Sequence, residues 1–258
     1  MIDVWYHDNC ADGFCAAWIV ANYYGIDNVR MTPVQYGRPM PSVEGITDLV
    51  IVDFSYPNEV LDTLPLIKII DHHKTAEHVG RRPDGLFDIG RSGAGLTWDH
   101  FHPGEPRPAI VNYVEDRDLW RWALPHSKAY NAAIGLLDSD LVQWDVASRM
   151  SVAEMVSVGA PVMKYRKQVV KDAIKRATLI TLNGLRVPCM NATMLISEIC
   201  GELAIGHPFA VTWFFDGKQF VYSLRSTPDG ADVSGIAKFY GGGGHKHAAG
   251  FVSKTFIV

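Results

Sequence analysis

Leu66-Ile67-Lys68-Ile69-Ile70-Asp71-His72-His73-Lys74 is the stretch that decides how this chain is read. Leu66, Ile67, Ile69 and Ile70 make a short run of strand type, and it stops abruptly in a carboxylate, two imidazoles and an ammonium. In an open parallel sheet, ligands bind beyond the carboxyl ends of the strands, so polar groups placed there stand where chemistry is done. Asp and His also ligate hard and borderline metal ions, and Lys adds charge suited to phosphate. A polar turn after a buried strand has the same local composition. The rest of the chain separates the two readings.

Upstream, the pattern recurs. Ile2 to Tyr6 reads as a buried strand that breaks into His7-Asp8-Asn9-Cys10-Ala11-Asp12-Gly13. Phe14, Ala17, Trp18, Ala21 and Tyr24 then follow at helical spacing, so Asp12-Gly13 marks a strand-to-helix turn, where Asp12 also suits a helix N-cap. A second strand is expected over Arg30 to Gln35. A third, Asp48 to Asp53, again ends in a carboxylate and leads into a helix near Asn58 to Leu64. Three strands of one βαβ pattern thus end in His7 with Asp12, in Asp53, and in Asp71-His72-His73. Such repetition along one sheet edge implies an α/β domain with a parallel sheet and a shared site.

Downstream, Arg91-Ser92-Gly93-Ala94-Gly95 opens a helix whose small residues let backbone amides approach an anion, or simply pack tightly under a loop. After a turn-rich break over Pro103 to Pro108, a helix carries Val114-Glu115-Asp116-Arg117-Asp118-Leu119-Trp120. Acids embedded among large apolar side chains need a cation or hydrogen-bond donors. Residues from about Leu124 to Thr181 look helical and make the best linker, with a basic late portion. Strands are expected over Leu185 to Met190, Phe209 to Phe215 and Gln219 to Leu224, with Asp216-Gly217 as a hairpin turn. A helix-like Val233 to Phe239 precedes Gly241-Gly242-Gly243-Gly244-His245-Lys246-His247 and a last strand from Phe251. Four successive glycines cost much backbone entropy and suit a main chain brought close to a ligand. The expected division is 1–125, a helical linker 126–182, and a smaller α/β domain 183–258.

The chain has 258 residues, 48% of them hydrophobic and 20% charged, an ordinary globular composition. No apolar run approaches the ~20 residues of a membrane-spanning helix, and the N-terminus lacks the basic and apolar regions of a signal peptide. Four cysteines without a Cys-x-x-Cys pair suit a reducing compartment, and a cytoplasmic protein is expected. A net charge of -4 argues against coating long nucleic acid and leaves room for a short anionic substrate.

Taken in order, these segments resemble the DHH phosphoesterase superfamily, in the subgroup with the DHH-associated C-terminal domain that includes RecJ-like exonucleases and nanoRNases. The carriers are His7 through Asp12-Gly13, Asp53, Asp71-His72-His73, the Asp116 to Trp120 segment, Arg225-Ser226, and Gly241 to His245 with Ala248-Ala249-Gly250. The resemblance implies two divalent ions, usually manganese, set between an α/β domain and a smaller substrate-gripping domain. By position, it makes His7, Asp12 and His72 metal ligands and Asp53 the bridging carboxylate. His73 would face the scissile phosphate, and Asp71 would orient its neighbours. Asp116 and Asp118 both fit the fourth motif; residues two apart on a helix point in different directions, and Asp118 is favoured. One departure stands out: where the family places an upstream Asp, this chain has Cys10. Either Cys10 is a softer ligand, or Asp8 reaches in, or the first metal site is weaker. Arg225, Ser226, Gly243, Gly244 and His245 would grip the substrate. The implied activity is two-metal hydrolysis of phosphodiester bonds in short single-stranded oligonucleotides. A phosphatase or phosphodiesterase of small nucleotides is the near alternative, and a non-catalytic nucleotide sensor the distant one. A homodimer is compatible with this reading.

Overall fold

The computed structural model describes residues 1–257, Leu66 by its backbone alone, so the part of that side chain in the apolar run lies outside the described residues. The chain divides into two compact units, Met1–Met163 and the residues from Lys164 onward.

The first unit is built on β1 (Ile2–His7), β2 (Val29–Val34), β3 (Leu49–Val52), β4 (Leu66–Asp71) and β5 (Gly85–Phe87). Their order is β2-β1-β3-β4-β5, and every neighbouring pair is parallel. Side chains alternate between two cores, as the two-residue period of a strand demands. Val4, Tyr6, Val50, Val52 and Ile70 face one cluster, and Trp5, Leu49, Ile51 and Ile69 face the other. The first face is covered by α1 (Ala11–Tyr24), α3 (Gly93–Phe101) and α4 (Ala109–Asp118); the second by the short α2 (Asn58–Leu61) and a 3₁₀ segment over Lys74–Arg81. Apolar cover on both faces is why β3 reads as an unbroken run, Leu-Val-Ile-Val.

The expected linker differs from what is found. Helices α5 (Ser127–Ile134) and α6 (Leu141–Arg149) belong to the first unit, where Tyr130, Ala133, Ile134, Trp144 and Ala147 join the core beside Phe14 and Tyr113. The Tyr113 and Tyr130 rings stack 3.9 Å apart, and Trp144 lies 5.4 Å from Phe14. Only α7 (Val152–Ile174) runs past the division.

The second unit holds β6 (Thr178–Leu182), β7 (Leu185–Asn191), α8 (Ile196–Leu203), β8 (Ala210–Phe215), β9 (Phe220–Arg225), α9 (Val233–Phe239), β10 (Gly243–His245) and β11 (Ala248–Ser253). The sheet order is β10-β11-β9-β8-β7-β6, and among the described residues β7 and β8 are the one parallel pair of this second sheet. β6 corrects the expectation of helix up to Thr181. Thr178-Leu179-Ile180-Thr181-Leu182 pairs with β7 across Asn183-Gly184, whose φ angles of 52° and 74° are those of a two-residue hairpin turn. Among the described residues no helix is long and apolar enough to cross a membrane.

If α6 belongs to the first core, Trp144→Ala costs about 3–5 kcal/mol, the range for deleting a buried large aromatic. The shift in urea midpoint of the first unit's unfolding measures it; a change near zero would return the helix to a linker role.

Candidate metal centre

Three parallel strands deliver their last residues to one place. His7 closes β1, Asp53 follows β3, and Asp71-His72-His73 closes and follows β4. Asp12 enters from the first turn of α1, and Asp118 from the last residue of α4. Two groups of possible ligands result: His7, Asp53 and His73, and Asp12, His72 and Asp118.

Asp53 joins the two groups. It is fully buried, and its backbone sits in the left-handed region at φ 56°, a conformation that costs a branched or bulky residue energy and recurs at functional sites. Its Oδ2 is 3.5 Å from His7 Nδ1 and its Oδ1 is 3.1 Å from His72 Nε2. Neither carboxylate oxygen has an aligned hydrogen-bond donor, nor does His7 Nδ1. A buried carboxylate without donors is expensive unless a cation compensates it. The donor set of imidazole nitrogens and carboxylate oxygens is also that of borderline divalent ions, so the residues fit such ions.

His72 Nε2 faces three carboxylates, at 3.1 Å from Asp53, 3.4 Å from Asp118 and 3.6 Å from Asp12. Burial works against its charged form, but Asp53, Asp12 and Asp118 outweigh burial and raise its pKa to about 9. Burial, then Asp53 and Asp118, hold Asp12 well above the usual carboxylate range. Asp53 goes the other way: burial would raise it, yet His7 and His72 hold it low.

Asp71 is buried and turns its Oδ1 to the backbone N–H of His72 (2.7 Å), that of His73 (3.0 Å) and His73 Nδ1 (2.7 Å). The last bond fixes the ring, leaves Nε2 as its free nitrogen, and raises the pKa of His73.

The Ser92 to Gly95 segment meets a carboxyl group, and that group is Asp12. Gly93 N–H donates to Asp12 Oδ2 (2.6 Å) and Ala94 N–H to Oδ1 (3.0 Å), at the positive end of α3. A Cβ on Gly93 would stand 2.7 Å from the Asp53 Cβ, so only glycine lets this helix come so close. Glu115, which the sequence reading left without a role, steadies the same helix start. It accepts from Ser92 N–H (3.2 Å), Arg91 Nε (3.0 Å) and Arg107 (3.2 Å).

The alternatives around the site part company here. Asp116 turns away from both groups and accepts from Ala123 N–H at 2.8 Å, while Asp118 joins His72, as two positions on a helix require. Asp8 is engaged with Asn9 and, at 3.3 Å, with Arg38, and belongs to neither group. Cys10 occupies the cap position of α1 and is likewise outside both groups; burial, then Asp53 and Asp12, push its thiol pKa up.

The second unit keeps its own cluster. β11 pairs Ala248 with Arg225 on one side and with His245 on the other, so Arg225 and His245 share one end of the sheet. Arg225 donates to Ser197 Oγ (2.9 Å), and Ser226 Oγ contacts His247 Nδ1 (3.0 Å). The glycines serve packing more than expected. A Cβ on Gly242 or Gly244 would strike β11 within 2.1–2.5 Å, whereas Gly243 has open space around it.

With its folded pKa near 9 against an ordinary 6.5, the proton on His72 stabilises the ion-free protein fully below pH 6.5, and that stabilisation is lost as pH rises through about 9. In chelator, the melting temperature is therefore expected to fall between pH 6.5 and 9. His72→Asn should flatten the slope; an unchanged slope in that variant would refute the assignment.

No family model matches the chain. An uncharacterized protein of Acanthamoeba polyphaga mimivirus is 29% identical over 279 aligned positions, covering 96% of this chain. The oligoribonuclease NrnB of Bacillus subtilis is 25% identical over 235, covering 80%. The chain spans 66% and 58% of the length of these two proteins. Among solved structures, the pGpG-specific phosphodiesterase PggH from Vibrio cholerae superposes with a TM-score of 0.60 at 16% identity, over 98% of this chain and 93% of that one. An exopolyphosphatase-related protein from Bacteroides fragilis gives 0.52 at 11% identity, over 99% and 87%. RecJ from Thermus thermophilus, in complex with Mn2+, gives 0.50 at 17% identity, over 97% and 49%. The fold of this chain is the one shared by these solved structures, a parallel-sheet α/β unit followed by a smaller α/β unit.

Proposed function

We propose that the chain is a metal-dependent phosphodiesterase that hydrolyses short oligonucleotides, down to dinucleotides. One observation carries the reading: two groups of ligand side chains adjoin, and the fully buried Asp53, with neither oxygen hydrogen-bonded, belongs to the first and touches the second. His7 and Asp53 would hold one divalent ion, with His73 beside it, and Asp12, His72 and Asp118 the other, with Asp53 shared. When bound, such a pair of ions lowers the pKa of a water and offsets charge on the attacking and leaving oxygens of a phosphoryl displacement.

The chain's own groups do the rest. Asp71 orients His73, whose side chain is the most exposed of the three imidazoles at 32%, and whose raised pKa suits a hydrogen bond to a phosphate oxygen. In this reading Nε2, the one free nitrogen of the His73 ring, contacts the scissile phosphate. The amides of α3 keep Asp12 in place, so that His72 and Asp118 meet it without rearrangement. In the second unit, Arg225, Ser226 and His245, with the open backbone at Gly243, form a set suited to a phosphate group. The net charge of -4 favours short substrates over long ones. Manganese suits the mixed imidazole and carboxylate donors better than magnesium, which prefers oxygen ligands. The four free thiols fit a cytoplasmic setting.

The test is an assay of labelled di- to pentanucleotides in manganese, beside a 3',5'-bisphosphate nucleotide and pyrophosphate. Shortening of the oligonucleotides is expected, and Asp53→Asn should lower turnover by roughly 10³-fold or more. No cleavage of any phosphate ester across several metals would sink the enzyme reading. Cleavage of the bisphosphate alone would replace the substrate class.

A further inference from the structure

Gln35 follows β2 and no motif marks it, yet its side chain determines what His7 can do. Gln35 Oε1 lies 3.1 Å from the backbone N–H of Tyr36 and 3.0 Å from His7 Nε2. An amide N–H is satisfied only by an acceptor, so the atom facing Tyr36 is the carbonyl oxygen and the side-chain amide has one orientation. The same oxygen faces His7, so Nε2 must be the nitrogen that carries hydrogen. In the neutral ring Nδ1 then holds the lone pair. That nitrogen is buried, has no hydrogen-bond partner, and stands 3.5 Å from Asp53 Oδ2, with the His73 ring 5.4 Å away. A lone pair and a carboxylate oxygen turned to one point repel each other unless a cation lies between them. Tyr36, edge-on to both His7 and His73 and packed on Phe54, holds the same segment against the site.

We propose that Gln35 is a positioning residue that fixes His7 as its Nε2–H tautomer and so makes Nδ1 the ligand atom of the His7, Asp53 and His73 group. This rests on that group being a metal site. Gln35 touches one group only, so its effect is confined to one of the two ions. The partner of a ligating imidazole typically changes metal affinity by roughly 10- to 100-fold.

The test titrates Mn2+ into the metal-free full chain, reading free Mn2+ by electron paramagnetic resonance, for wild type and three variants. Gln35→Glu keeps an acceptor, Gln35→Met keeps the length without one, and Gln35→Lys presents a donor. Long-range nitrogen correlations of the His7 ring in the metal-free wild type report the tautomer directly. Two ions should bind to wild type and to Gln35→Glu within a few-fold. Gln35→Met should weaken one ion by roughly 10-fold or more and leave the other unchanged, and Gln35→Lys should weaken it further. Equal binding of both ions by the Met and Glu variants would overturn the role of Gln35 while leaving the metal site standing. A hydrogen on Nδ1 and none on Nε2 in wild type would do the same, and does not depend on any variant folding. Wild type that binds no divalent ion would instead overturn the metal reading, and this proposal with it.

Discussion

A carboxylate placed out of water without hydrogen-bond donors is the constraint around which the first unit is arranged. Asp53 is fully buried, strained into a left-handed backbone, and faced by imidazoles instead of amides. Left alone it would destabilise the fold by several kcal/mol. Its neighbours answer that cost with charge: His7 and His72 approach it, and His72 in turn sits among Asp12 and Asp118. The parallel sheet makes this crowding attainable, because all its strands end on the same edge and adjacent strands lie about 4.8 Å apart.

Around that centre runs a shell of fixed polar contacts. Asp71 turns its Oδ1 to the two residues after it, so three hydrogen bonds hold the Asp-His-His turn before any ligand arrives. The start of α3 is pinned between Asp12 on one side and Glu115 on the other, and Glu115 is itself held by arginines. Asp116 holds the loop beyond α4, where Trp120 and Trp122 both take left-handed conformations at φ 55° and 51°. Each acid of the Glu115-Asp116-Arg117-Asp118 run thus has a separate partner: guanidinium, amide, and imidazole.

The sequence disclosed the strand ends because they combine two strong signals, an unbroken apolar run and an immediate Asp or His. β1, β3 and β4 were legible for that reason, and so were the residues they carry. The choice between Asp116 and Asp118 needed the helix itself, since spacing alone leaves both in reach. α5 and α6 read as helices but not as core, because Tyr130, Ile134 and Trp144 stand among small and polar residues and their partners Tyr113 and Phe14 are distant in sequence. β6 was missed although Asn183-Gly184 signalled a hairpin, because the preceding helical pattern overran it. β10 was obscured by its glycines, which read as a loop but serve the close approach of two strands. Gln35 left no trace in the pattern at all: its role depends on one oxygen shared between a backbone amide and a ring nitrogen.

The order β2-β1-β3-β4-β5 has a kinetic side. The candidate ligand groups come from positions 7, 12, 53, 72, 73 and 118, and every neighbouring pair of strands in this sheet is parallel, so none is closed by a hairpin. Contacts of such long sequence separation are costly to close, and parallel sheets form slowly. The cluster therefore exists only once most of the sheet has assembled. An ion that recognises the finished arrangement holds the native state by retarding its loss, and does little to hasten its formation. Persistence of the folded unit, more than speed of reaching it, is what loading would govern.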